Sequence, residues 1–195
     1  MLKLYTDASI LNSKSSSIKG ICGLGVVILD KVGKQDKRIL NSFYTSQHKD
    51  DINIGEMLAI LKGLEIVEQI LPKIERRKKP KISVITDSSS CVNYLNGKVP
   101  GESNREFTKQ QKEKHILLRS LCYKVKSYSK YYDLTFSHIK GHTRYLQEDS
   151  INNTLADVMA RDGLRKYLDE NVRDSSNKRN KSKINFGNKF SKDGR

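Results

Sequence analysis

Apolar and polar positions follow one another along this chain in blocks whose period changes several times. Leu2 to Asp7 reads as a short strand, and Ile10 to Lys19, rich in Ser and Lys with no apolar period, as a loop. Ile21 to Asp30 and Lys37 to Thr45 predict two more strands around a Lys-Val-Gly-Lys turn, so the first three strands form an antiparallel meander. From Gly55 to Leu71 the period becomes helical, with Met57, Leu61, Leu64 and Leu71 on one stripe and Ile60 and Val67 beside it. Pro72 and the basic run from Arg76 to Lys79 end that helix. Lys81 to Thr86 is a compact β-branched strand, and Ser88 to Leu95 predicts a short helix. A strand that leads through a helix to another strand implies a parallel neighbour. Pro100 to Arg105 reads as loop, Glu106 to Ser127 as a polar helical insertion, Tyr132 to Ile139 as a fifth strand and Glu148 to Leu168 as the last helix. The order predicts an α/β fold: a mixed five-stranded sheet, three antiparallel strands then two parallel ones, with helices on both faces.

Composition narrows the partners. The chain has 195 residues, enough for one domain with a core and some 40 residues over as loops or tail. Its net charge of +15 favours a polyanion, because Lys and Arg that neutralise phosphates release condensed counterions. The longest apolar run, Ile21 to Leu29, is strand-sized, so no membrane span is expected. The amino terminus lacks the apolar region of a signal peptide, and the expected location is the cytoplasm. Cys22, Cys91 and Cys122 have no CxxC spacing and are expected to be buried, reduced thiols. From Asn171 to Arg195 eight Lys or Arg stand against two Asp with few apolar residues, so residues 169–195 are expected to be a disordered basic tail beyond a domain of residues 1–168.

Four carboxylates occupy contexts unlike those of ordinary surface charges: Asp7 in LYTDAS, Glu56 in IGEMLAIL, Asp87 in VITDSS and Asp157 in NNTLADVMAR. Asp7 and Asp87 each end a strand-like run ahead of small residues, and the crevice beyond the carboxyl ends of adjacent parallel strands is the favoured ligand site of an open α/β sheet. Glu56 and Asp157 share helix faces with apolar residues, Ile60 and Val67 in one case, Ala160 and Leu164 in the other. Each has a structural alternative. The two Asp can cap the segments that come after them, Glu56 in a first turn suits the helix dipole, and Asp157 can pair with Arg161 four residues on. Together they point to a divalent-metal site, since clustered acids repel unless a cation joins them. Oxygen donors without a Cys or His cluster select Mg²⁺ or Mn²⁺. Two such ions about 4 Å apart can clamp the attacking water and the leaving oxygen of a phosphodiester, which makes a basic chain with this site a nuclease.

These segments, in this order, resemble the type 1 ribonuclease H family, which cleaves the RNA strand of RNA–DNA hybrids. The likeness rests on YTDAS at the start, Asn53 to Glu56 (NIGE), Ile85 to Ser88 (ITDS), Ile139 to His142 (IKGH) and Asn153 to Arg161 (NTLADVMAR), and covers nearly all of residues 1–168. It implies a ribonuclease H-like fold, an RNA–DNA hybrid as substrate, two Mg²⁺ ions with Mn²⁺ as a substitute, 5′-phosphate and 3′-hydroxyl products, and a monomer that removes RNA primers or R-loops. It implies further that Asp7 bridges both ions, that Glu56 and Asp87 complete the site on the leaving oxygen, and that Asp157 holds the ion that activates water. His142 is placed by it in proton transfer or product release, and Asn53, Ser88 and Lys140 at the substrate.

The departures from the family pattern are local. Ser- and Lys-rich Leu11 to Lys19 replaces a Gly- and Pro-rich loop, Asp51 stands where a phosphate-binding Thr is often found, and no Trp is present. Lys109, Lys112 and Lys114 are left to supply the charge of the missing aromatic, basic handle. No amino-terminal hybrid-binding module is expected, because the first catalytic strand begins almost at Met1. The competing readings keep the fold and change the substrate, as in a junction resolvase, an integrase-like strand transferase or a proofreading exonuclease, or remove the chemistry, as in a nucleic-acid-binding module.

Overall fold

The computed structural model describes residues 2–10, 20–32, 35–46, 51–73, 78–98, 107–140 and 147–186, in backbone only at 32, 35–36 and 172–186. Five strands, β1 (Leu2–Ile10), β2 (Cys22–Val32), β3 (Gln35–Thr45), β4 (Lys81–Thr86) and β5 (Asp133–His138), form one sheet in the order β3-β2-β1-β4-β5. β1 pairs antiparallel with β2, and β2 with β3, whereas β4 runs parallel to both β1 and β5. This is the mixed sheet that the order of apolar blocks predicts.

Alternation along the central strands separates the two faces. Leu2 and Leu4 of β1 and Val26 and Ile28 of β2 pack in one apolar cluster with Met57, Ile60, Leu64 and Val67 of α1 (Ile52–Ile70). Leu118, Leu121 and Val125 of a later helix, Lys109–Ser127, join the same cluster. Tyr5, Val27, Leu29 and Ile85 pack instead with Ala156 of the last helix, Glu148–Phe186. We number α2 (Ser89–Leu95), α3 (Lys109–Ser127) and α4 (Glu148–Phe186).

Several boundaries differ from the sequence pattern, each for a local reason. α1 begins at Ile52 rather than Gly55, because Asp51 is an N-cap whose side chain accepts from the Asn53 N–H at 3.0 Å. α3 begins at Lys109 rather than Glu106, where Thr108 and Gln111 form a reciprocal capping box. β1 continues to Ile10, since β2 pairs with it through Ile10↔Cys22. α4 runs past Leu168 to Phe186, so helical backbone enters the segment expected to lack order; no proline interrupts residues 148–186. Residues 187–195 of the expected tail lie outside the described residues.

Two features fix α4 on the sheet. A Cβ on Gly25 would overlap the carbonyl of Ala156, and one on Gly163 that of Phe43, so glycine at both positions lets helix and strands approach backbone to backbone. At its first turn, Lys3 Nζ lies 2.7 Å from Asp149 Oδ1, Tyr5 donates its hydroxyl to the same oxygen at 2.6 Å, and Lys31 pairs with Glu148 at 2.5 Å. The three cysteines are free and buried, and burial pushes the thiols of Cys22 and Cys91 up to about 12. Among the described residues no helix is long and apolar enough to cross a membrane.

Candidate metal centre

The centre forms where β1 outruns β4. Pairing between these strands ends at Thr6↔Thr86, while β1 continues on its other side with Asp7↔Gly25 and Ala8↔Leu24. The Ala8 N–H, left without a strand partner on the β4 side, donates to Asp7 Oδ1 at 2.8 Å and to Glu56 Oε1 at 3.2 Å. The second Glu56 oxygen accepts from the Thr86 hydroxyl at 3.3 Å, and Thr86 Oγ1 in turn accepts from the Ser88 N–H at 3.2 Å. One unpaired amide and one buried hydroxyl thus orient Glu56 from α1 toward the ends of β1 and β4. Asp87 directly follows Thr86, and ligand oxygens of Asp7, Glu56 and Asp87 all lie within 4.8 Å of one another.

Such a cluster is costly as it stands. Asp7 is 7% exposed and Glu56 4%. Burial, then the charge of Asp87, pushes the Asp7 carboxyl up to about 7. Burial and then Asp7 and Asp87 hold Glu56 well above the usual carboxylate range. None of the ion pairs among the described residues engages Asp7 or Glu56. A divalent cation is the partner this geometry fits, and three hard oxygen donors suit Mg²⁺ or Mn²⁺.

Asp157 stands apart from the other three. It lines the same cavity of about 250 Å³, whose walls also include Ala8, Asn153 and Thr154. It lies outside the three-acid cluster and forms an ion pair with Arg161. Of the structural alternatives, this one is therefore present. The other two fail: Ser88 rather than Asp87 caps α2, accepting from the Cys91 N–H at 3.3 Å, and α1 begins early enough that Glu56 lies beyond its first turn, which holds no acidic residue. Asp7 and Glu56 are consequently the acids that most need a cation.

The remaining expected residues are distributed around this centre. Asn53 is half-buried in the first turn of α1, and its carbonyl accepts from Cys91 Sγ at 3.4 Å. Ser88 is half-buried as the α2 cap, and Lys140 is exposed two residues beyond β5. His142 lies outside the described residues. Asp51, expected to repel a phosphate, has a structural duty as the α1 cap. Three residues at the centre have no role assigned by sequence: Thr86, which holds Glu56; Asn153, buried in the cavity wall with an unpartnered Oδ1; and His138, whose Nε2 lies 3.1 Å from the Asp87 carbonyl. A carbonyl only accepts, so Nε2 carries the proton there. Thr86 and Asn153 lie inside the ITDS and NTLAD segments and could have been found there; His138 needed the parallel β4–β5 register.

Comparison with known proteins gives one consistent answer. A sequence model of the RNase H family matches residues 1–165. RNase H1 from the halophilic archaeon Halobacterium salinarum superposes with a TM-score of 0.52 at 17% identity, over 85% of this chain and 98% of its own. LC11-RNase H1, solved in complex with an RNA/DNA hybrid, gives 0.51 at 21% identity over 86% and 99%. The prototype foamy virus protease-reverse transcriptase gives 0.56 at 22% identity over 83% of this chain and 20% of that one. At these identities the structural likeness is one of fold. No curated protein matches the chain by sequence.

Proposed function

This chain belongs to the RNase H family, and from that premise we propose that it is an endoribonuclease that hydrolyses the RNA strand of RNA–DNA hybrids. The observation that carries the reading is the buried cluster of Asp7, Glu56 and Asp87 at the β1–β4 crevice, which has the donors of a Mg²⁺ or Mn²⁺ site and lacks the packing logic of a structural one. In this reading Asp7, Glu56 and Asp87 would hold one ion and Asp157 would help hold a second, with Asp7 as a ligand common to both. When bound, the ions polarise the attacking water and take up charge on the leaving oxygen. The chain's own groups do the rest. Ala8 N–H and Thr86 Oγ1 keep Glu56 aimed at the crevice, His138 holds the Asp87 backbone, and Gly25 lets α4 bring Asp157 to the same cavity.

The RNA/DNA hybrid bound by LC11-RNase H1 supports the choice of substrate, as does the net charge of +15. Asn53, Ser88 and Lys140 contact the hybrid in this proposal, where the 2′-hydroxyl distinguishes RNA from DNA. His142 assists proton transfer or product release, and the products carry 5′-phosphate and 3′-hydroxyl ends. We place the catalytic unit at residues 1–168, a basic segment at 169–195 and the enzyme in the cytoplasm as a monomer, where it removes RNA primers or R-loops. The test is cleavage of an end-labelled hybrid in Mg²⁺ beside duplex DNA and a four-way junction. The expected result is cuts in RNA of the hybrid alone, lost in Asp7→Asn. Activity retained by that variant, or a preference for the junction, refutes the proposal.

A further inference from the structure

Asp157 is set apart from Asp7 and Glu56 by a cation of its own. Arg161 lies one turn further along α4, and its Nη2 donates to Asp157 Oδ2. The other cationic side chains nearby on this helix have separate partners: Arg165 bonds Asp162 at 2.6 Å, and Lys166 reaches the Ser42 carbonyl at 3.3 Å. The Arg161 side chain is 52% exposed and that of Asp157 21%, so the guanidinium can leave for water while the carboxylate stays against the cavity. A cation that takes Oδ2 must displace Arg161, and one that takes Oδ1 must sit beside a positive charge. Both routes weaken binding at Asp157, whereas Asp7 and Glu56 have no such competitor among the described ion pairs.

Resting on the cation-dependent reading above, we propose that Arg161 is the internal counter-ion of Asp157 and competes with divalent metal for that carboxylate, which makes the two cation positions of the cavity unequal. The position at the three-acid cluster, where Asp7 and Glu56 have no basic partner among the described ion pairs, fills first. The position at Asp157 fills at higher concentration, and Arg161 sets how much higher.

The experiment is calorimetric titration of the full-length, metal-free chain with Mn²⁺, with bound ions counted by paramagnetic resonance. Wild type is expected to show one tighter and one weaker event. Arg161→Gln is expected to tighten the weaker event about two- to fivefold, the scale of removing an exposed helix ion pair and its charge, and to leave the tighter event unchanged. Arg161→Lys stays near wild type, and in an Asp157→Asn background Arg161→Gln changes nothing. A weaker event unchanged or weakened by Arg161→Gln overturns the proposal. So does equal tightening in the Asp157→Asn background, which would reflect net charge alone. Absence of any Mn²⁺ binding, or a tighter event that survives Asp7→Asn, fails the cation-site reading itself and is seen without reference to the Arg161 variants.

Discussion

Removing the Asp7 charge is expected to stabilise the metal-free protein and destroy its activity. The carboxyl lies 7% exposed beside Glu56 and Asp87, and burial followed by the Asp87 charge raises it from 3.8 to about 7. A raised carboxylate pKa means that the folded chain binds more protons than the unfolded one between pH 4 and pH 7. Stability from this group is therefore fully present below about pH 4 and lost as pH rises toward 7, with no further loss above it. The interval corresponds to about 4 kcal/mol, and a proton shared with Glu56 lowers the part assignable to Asp7 alone to about 2–4 kcal/mol. Asp7→Asn keeps the shape, removes the titration and supplies an amide donor. Urea unfolding followed by far-UV circular dichroism, in chelator, is the assay. The difference between variant and wild type cancels the changing charge of the rest of this basic chain. Wild type and variant are expected to agree near pH 4, and the variant to lead by about 2–4 kcal/mol at pH 8. Millimolar Mg²⁺ then reverses the order by stabilising wild type alone. A variant less stable than wild type at pH 8 in chelator, or a difference that does not grow with pH, refutes the reading of Asp7 as a buried, repelled member of a metal cluster.

Other substitutions probe how the centre is held. Gly25→Ala places a Cβ against the Ala156 carbonyl, so α4 must shift; a cost of about 1–3 kcal/mol in thermal unfolding is expected, with a fall in hybrid cleavage. Thr86→Val deletes the hydroxyl that donates to Glu56 at 3.3 Å, and Mn²⁺ titration is expected to show weaker binding at the three-acid site while the fold is kept. Thr108→Ala removes the α3 capping box at a cost of about 1 kcal/mol in urea unfolding, without effect on metal affinity. Hybrid affinity measured in Ca²⁺ against KCl concentration is expected to fall linearly on logarithmic axes, and a flat line would contradict a phosphate-tracking surface.

Legibility in the sequence tracks how locally each force acts. The five strands and four helices show because their apolar periods, 2 and about 3.6, report burial directly, as at Val26 and Ile28 against Met57 and Ile60. Boundaries slipped where a polar side chain sets the end. Asp51 and Thr108 cap helices that an apolar count starts three residues late or early. The four acids were legible as unusual; Asp7 and Asp87 needed only β1 beside β4, and Glu56 needed α1 packed across them. The Ala8 amide, Thr86 and His138 depend on the exact residue at which β1 outruns β4 and on the β4–β5 register, which no local pattern encodes.

That register also explains why the acids are not equivalent. Asp7, Glu56 and Asp87 converge because β1, α1 and β4 are joined by the central apolar cluster and by hydrogen bonds through Ala8 and Thr86, so their repulsion is imposed by the core and persists without metal. Asp157 arrives on α4, which reaches the site by close packing on Gly25 and by Lys3, Lys31 and Tyr5 at its first turn. Being less buried, it has room for Arg161, and with a cation in reach it carries no comparable strain. A centre built this way stores its electrostatic cost in three acids and keeps the fourth neutralised until a metal ion competes for it. Substitution of Asp157 should therefore cost activity with little gain in metal-free stability, the opposite balance from Asp7.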